Sequence, residues 1–259
     1  GGHGGLDAAL DRAIELGSKD AEVYSAKAYR ILDENGRARP LPADTARTVA
    51  DLFGRSIALH ARGREAYEGL AFALLSVDVV TEEDDTVLAL GRRAVPTDAF
   101  VLVGQAAVER QRGNVSEATM LLRGALAPPF DLPTRQRSFV AGLHDAWLAE
   151  WLGAQVQDLV NADRFVEARA ILDAQLADEA LTSRARADLE RMKAGVGVFE
   201  RFRAAEIALR NGETDEARTM LRELASDPSL PSPARIDAER MLDRRSEERR
   251  VGKECRSRW

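Results

Sequence analysis

Cysteine is all but missing from this 259-residue chain: a single one, Cys255, stands near the end. One thiol makes no intrachain disulfide and no Cys-based metal site. Histidine is nearly as scarce, and His3, His60 and His144 lie far apart. None forms the i, i+4 pair with a glutamate that makes a zinc site on a helix. No Gly-x-Ser-x-Gly turn is present to raise a serine nucleophile. Gly1-Gly2-His3-Gly4-Gly5 resembles a phosphate loop only in glycine content, because it lacks the lysine and the preceding strand. No apolar run is long enough to cross a bilayer. Positive charge is also in deficit, with a formal net charge of −6 and no basic cluster, a poor match for phosphate backbones. The expectation is a chain with no catalytic, cofactor-binding or metal-ligating residues, no nucleic-acid partner and no membrane segment. Lack of cysteine suits cytoplasm and periplasm equally, so the compartment stays open.

What the chain has is helical material. Hydrophobic residues make up 45%, aromatics only 5% and charged residues 31%, which points to helices packed through small and aliphatic side chains. The arginine excess over lysine is that of a GC-rich, bacterial-type coding sequence. One stretch is written twice. Glu167-Ala168-Arg169 with Leu172 returns as Glu216-Ala217-Arg218 with Leu221. Ala185-Arg186, Asp188 and Glu190-Arg191-Met192 return as Ala234-Arg235, Asp237 and Glu239-Arg240-Met241. Two spaced blocks at one offset of 49 residues make an internal repeat.

Apolar spacing places the elements. Leu6, Leu10 and Ile14 keep helical period up to Gly17-Ser18, and a second helix runs from Asp20 to Glu34-Asn35-Gly36. The stretch 37–44 reads as a loop, followed by helices over 45–59 and 64–76. The acidic run Thr81-Glu82-Glu83-Asp84-Asp85 fits no calcium loop, having no central glycine. It reads as a link ahead of a helix beginning near Thr86, with negative charge at that helix's positive end. Between Pro133 and Asn161 the apolar residues hold a 3.6 period without a break, a helix of roughly 40 Å. Trp147 and Trp151 share its face, as core packing or as an anchor for a partner. A second long helix spans 182–211, with Gly195 and Gly197 as a possible break.

The last fifteen residues, 245–259, differ in character and match a common short-read sequencing adapter translated in one frame. They are read as a non-native tail. Without their six basic and three acidic residues the formal charge becomes −9. The resulting division is 1–126 of shorter helix pairs, a linker loop at 127–133, 134–244 of longer helical repeats, and the tail.

Ser56-Ile57-Ala58-Leu59, a break, then Glu65-Ala66-Tyr67-x-x-Leu70-Ala71-x-x-Leu74 resembles the tetratricopeptide repeat, and Ala13 to Ala28 carries the same junction one repeat earlier. Leu102, Ala106, Gly113, Ala118, Leu122 and Ala125 keep the family's spacing; Phe165, Ala168 and Leu172, then Gly212, Ala217 and Leu221, keep it in part. The usual 34-residue period and the characteristic Trp and Pro are mostly absent. The resemblance implies an all-α fold, a right-handed superhelical stack of antiparallel helix pairs (an α-solenoid), with longer pairs in the C-terminal half. It also implies a protein or peptide partner on the concave face lined by the first helix of each pair. Mapped position by position, that groove shows Ser25 and Tyr29, then Glu65, Glu68 and Phe72, then Val103, Ala107 and Arg110. Members that clamp a C-terminal carboxylate want lysine and asparagine where this chain has Glu68 and Phe72, so a basic or apolar peptide fits better.

The leading expectation is a non-enzymatic interaction scaffold. Two alternatives stand beside it: the C-terminal repeats of a larger bacterial enzyme, for example a zincin-like peptidase, and a structural subunit that self-associates.

Overall fold

The structure, a computed structural model, describes residues 3–35, 41–59, 63–179, 181–228, 230 and 232–243. His60, Gly1, Gly2 and the 245–259 tail lie outside the described residues. The described residues contain no strand. The helices are α1 (His3–Glu15), α2 (Ala21–Asn35), α3 (Ala43–Ala58), α4 (Arg64–Leu74), α5 (Glu82–Ala94), α6 (Ala99–Gln111), α7 (Val115–Leu126), α8 (Thr134–Asn161), α9 (Phe165–Leu176), α10 (Ser183–Asn211), α11 (Thr214–Ser226) and α12 (232–243). The described residues are all-α, and within each unit helices pack on near neighbours in the chain.

Two compact units divide at Trp151/Leu152, inside α8. The 127–133 loop belongs to the first unit: Leu132 is buried in its core, and Arg64 donates from Nη2 to the Asp131 carbonyl at 2.5 Å. Within that unit α3 lies between α2 and α4, α4 packs on α6, and α6 packs on α7, with α5 against α3 and α6. The crossings work through small residues. Ala28, Ala46, Ala71, Ala106 and Ala118 are buried completely or nearly so, and their lack of bulk lets backbones approach while Phe53, Leu70, Leu74, Leu88, Phe100 and Leu122 fill the flanks.

One turn recurs between helices. The N–H of Gly113 donates to the Arg110 carbonyl and that of Asn114 to the Glu109 carbonyl. Gly212 and Glu213 repeat the pattern on Leu209 and Ala208, and Asp163 and Arg164 on Val160 and Leu159. Each is a Schellman ending with its first residue in the left-handed region, at φ 84°, 85° and 58°. These are the turns that the Gly113-Asn114, Arg210-Asn211-Gly212 and Asn161-Ala162-Asp163 segments mark in sequence.

In the second unit the 49-residue offset is visible as packing. Ala168 and Leu172 on α9 and their counterparts Ala217 and Leu221 on α11 are all buried. Arg169 pairs with Glu200 and Lys193 with Asp173 at 2.6 Å, two ion pairs joining α9 to α10, and Arg203 on α10 pairs with Asp163 of the α8–α9 turn at 2.6 Å. Both partners of each are partly exposed, so water screens them. Helix α10 runs unbroken through Gly195 and Gly197.

Helix α5 starts at Glu82, four residues ahead of the Thr86 start expected from sequence. Thr81 is its N-cap: the Asp84 N–H donates to Thr81 Oγ1 at 3.3 Å and the Thr81 N–H to Asp84 Oδ2 at 2.8 Å. This reciprocal box absorbs the acidic run into the first turn. Arg47 on α3 adds two bonds to the Asp84 carboxylate, at 2.9 and 2.8 Å. Burial pushes that carboxyl up. The bonds from Arg47 and Thr81 overcome it and hold the group below the usual carboxylate range.

Candidate functional site

The eight groove positions from sequence fall on α2, α4 and α6, all in the first unit. Ser25 is half-buried and its hydroxyl turns back to the Ala21 and Glu22 carbonyls of its own helix. Tyr29 lies edge-on to Phe53, with ring centroids 5.0 Å apart, and its hydroxyl donates to the Glu65 carbonyl at 2.5 Å. Glu65 is therefore joined to Tyr29 through its backbone while its side chain stays exposed. Glu68 is half-buried one turn further along α4.

Phe72 sits in an aromatic row, 6.5 Å from Phe100 and 5.0 Å from Phe139 at the start of α8. Val103 and Ala107 are buried, 1% and 2% exposed, and offer a ligand no surface in this arrangement. Arg110 lies over the Trp147 ring at 4.7 Å and pairs with Glu150 at 2.7 Å. The positions thus separate into buried Val103 and Ala107 on α6, and six that keep some exposure, Arg110 of α6 among them. Trp147 is core, 7% exposed.

Sequence reasoning did not connect α8 with this face, though Phe139 and Trp147 both touch groove positions. Nor did it single out Arg64, whose guanidinium lies 5.9 Å from the Phe100 ring centre. The signal for α6 was present. Ala99 to Val108 is apolar all round, with only Gln105 polar, which marks a helix buried on every side.

Each unit also holds a hollow. One, in the second unit, has a volume of about 460 Å³ and lies between α8 and α9, lined by Leu159, Ala170 and Ile171 with the charged Asp158, Arg164 and Glu167. The other, in the first unit, has about 380 Å³ and is bounded by the α5–α6 turn and Phe130. Asp98 lines it and caps α6, accepting the Phe100 N–H at 2.9 Å. Burial pushes the Asp98 carboxyl up, against the pull of that N–H and of the Arg64 charge. Asp98 in turn helps raise Tyr67, whose own burial is the larger cause.

Among the described residues no three His, Cys, Asp or Glu side chains gather as a metal site, and no helix is long and apolar enough to cross a membrane. His144 approaches the neighbouring Asp145 at 3.4 Å, both mostly buried on α8. Comparison of the chain with protein-family models, with curated proteins and with solved structures returns no match.

Proposed function

We propose that this chain is a non-catalytic binding scaffold of tetratricopeptide-like repeats, holding a basic or apolar peptide segment against the accessible face of α2 and α4. The single observation that supports it is that α4 packs on α6 and also meets α2, where the Tyr29 hydroxyl donates to the Glu65 carbonyl. Alignment of successive first helices is what gives repeat arrays a continuous binding face. Its contact residues are Ser25, Glu65, Glu68 and the half-buried Phe72. Two carboxylates beside an aromatic ring suit a segment that alternates lysine or arginine with apolar side chains. Val103 and Ala107 act as packing beneath that face. Residues 245–259 are adapter-derived in this proposal and contribute nothing to the binding face.

The test begins with affinity selection from a random-peptide library on the intact chain. The selected peptide is then titrated against Glu68→Lys and Phe72→Ala. Enrichment of basic-apolar peptides and at least a tenfold loss of affinity in each variant is the expected result. Unchanged affinity in both would sink the assignment of the face.

A further inference from the structure

The cavity of about 380 Å³ in the first unit is at the small end of the size range of ligand pockets. Val95, Pro96, Leu102 and Phe130 give it apolar walls, while Asp98 and Arg92 supply charge. The two charges are not equivalent. Arg92 is exposed, and its Nη1 donates to Gln105 Oε1 at 3.1 Å. Asp98 is 9% exposed and lines the cavity. Its Oδ1 takes the Phe100 N–H, which answers the positive start of α6. That bond occupies one of the two carboxylate oxygens.

A carboxylate so placed is costly without a cation or further donors. Arg64 acts on it through space, but its Nη2 bond goes to the Asp131 carbonyl. Apolar walls ending in one buried carboxylate are complementary to a group with a hydrocarbon stem and a cationic head.

We propose that this cavity binds a primary alkylammonium group, with the ammonium on Asp98 and the stem against Val95, Pro96, Leu102 and Phe130. The chemistry is shared by a small free amine and by a lysine side chain of a peptide. The site is separate from the α2–α4 face and does not depend on it.

The test uses the full chain, isotopically labelled, with amide spectra recorded during titration. The probes are n-butylammonium, Nα-acetyl-lysine N-methylamide and, as the anionic counterpart, butyrate. Saturable shifts of the Phe100 and Val101 amides with either cation are expected, and none with butyrate. A response to butylammonium alone identifies the source as a small amine, and a response to the lysine derivative alone identifies a peptide side chain. Asp98→Asn retains an N-capping side chain and removes the charge, so the chain stays folded by circular dichroism while cation affinity falls at least tenfold. Phe130→Ala weakens binding several-fold. Silence with both cations overturns the proposal, as does equal binding by Asp98→Asn. So does a butyrate response that Arg92→Gln abolishes, which would make the cavity an anion site.

Discussion

Phe53 and Gly69 meet where α3 crosses α4, and the contact leaves no room for a methyl group. A Cβ built on Gly69 would stand 2.2 Å from Phe53 Cζ, and Phe53 is fully buried. Gly91 against Tyr67 and Gly104 against Leu88 repeat the device at later crossings. Gly69→Ala is therefore expected to destabilise the first unit by about 1–3 kcal/mol through overpacking. Gly197, inside α10, has nothing within 4 Å of the same position. There Gly197→Ala should raise stability by up to about 1 kcal/mol, the helix-propensity difference. Denaturant midpoints of the two variants should move in opposite directions. A second residue-scale expectation concerns Asp84. Its folded pKa lies below the unfolded value of about 3.9. The stability it contributes is whole above that value and is lost as pH falls through the lower folded value. Asp84→Asn should thus cost roughly 2–3 kcal/mol at pH 7, under the full buried-pair figure because Arg47 is a quarter exposed and keeps Asp51. The difference from wild type should shrink in unfolding curves taken at successively lower pH below about 4.

At the scale of elements, the repeated turn carries the join between a first helix and its partner. Gly212 at φ 85° is the residue that lets α10 end and α11 begin, and no side chain is crowded there. Gly212→Ala is expected to cost about 1–2 kcal/mol from the left-handed backbone alone, measurable as a lower melting temperature with unchanged helix content. These joins were legible in sequence because glycine, asparagine and aspartate interrupt the apolar period at the right places. So were the helices and the alanine crossings, since 3.6-residue spacing and small residues act locally. The start of α5 was misplaced because four acidic residues looked like a solvated link, whereas the Thr81-x-x-Asp84 spacing is a capping box. The groove was legible only in part. Family spacing places Val103 and Ala107 on a first helix, but what covers them is set by tertiary packing. Phe139 reaches Phe72 from a helix more than sixty residues away, and one-dimensional spacing carries no record of that contact.

For the whole molecule the question is whether stability is held in one cooperative structure or in two. The core of the first unit runs from Ala28 to Trp147, while Ala205, Leu221, Leu224 and Ala238 form a separate cluster in the second. The two share no residue. In arrays built of neighbouring contacts, stability is a sum of local terms, and a lesion is felt first by the helices that touch it. Leu70 and Leu221 are equally deep, each 1% exposed, so Leu70→Ala and Leu221→Ala should each cost about 2–5 kcal/mol in their own unit. Because they belong to different clusters, the double variant should lose the sum of the two within about 0.5 kcal/mol. Amide hydrogen exchange checks the location: Leu221→Ala should speed exchange in α10 and α11 while α3, α4 and α6 keep their protection. If exchange rises equally in both units, the two clusters unfold together and the continuous helix α8 transmits the lesion between them. A deficit confined to α10 and α11 would instead mean that the α2–α4 face keeps its geometry whatever happens in the second unit. Peptide affinity at that face should then be the same in Leu221→Ala as in wild type.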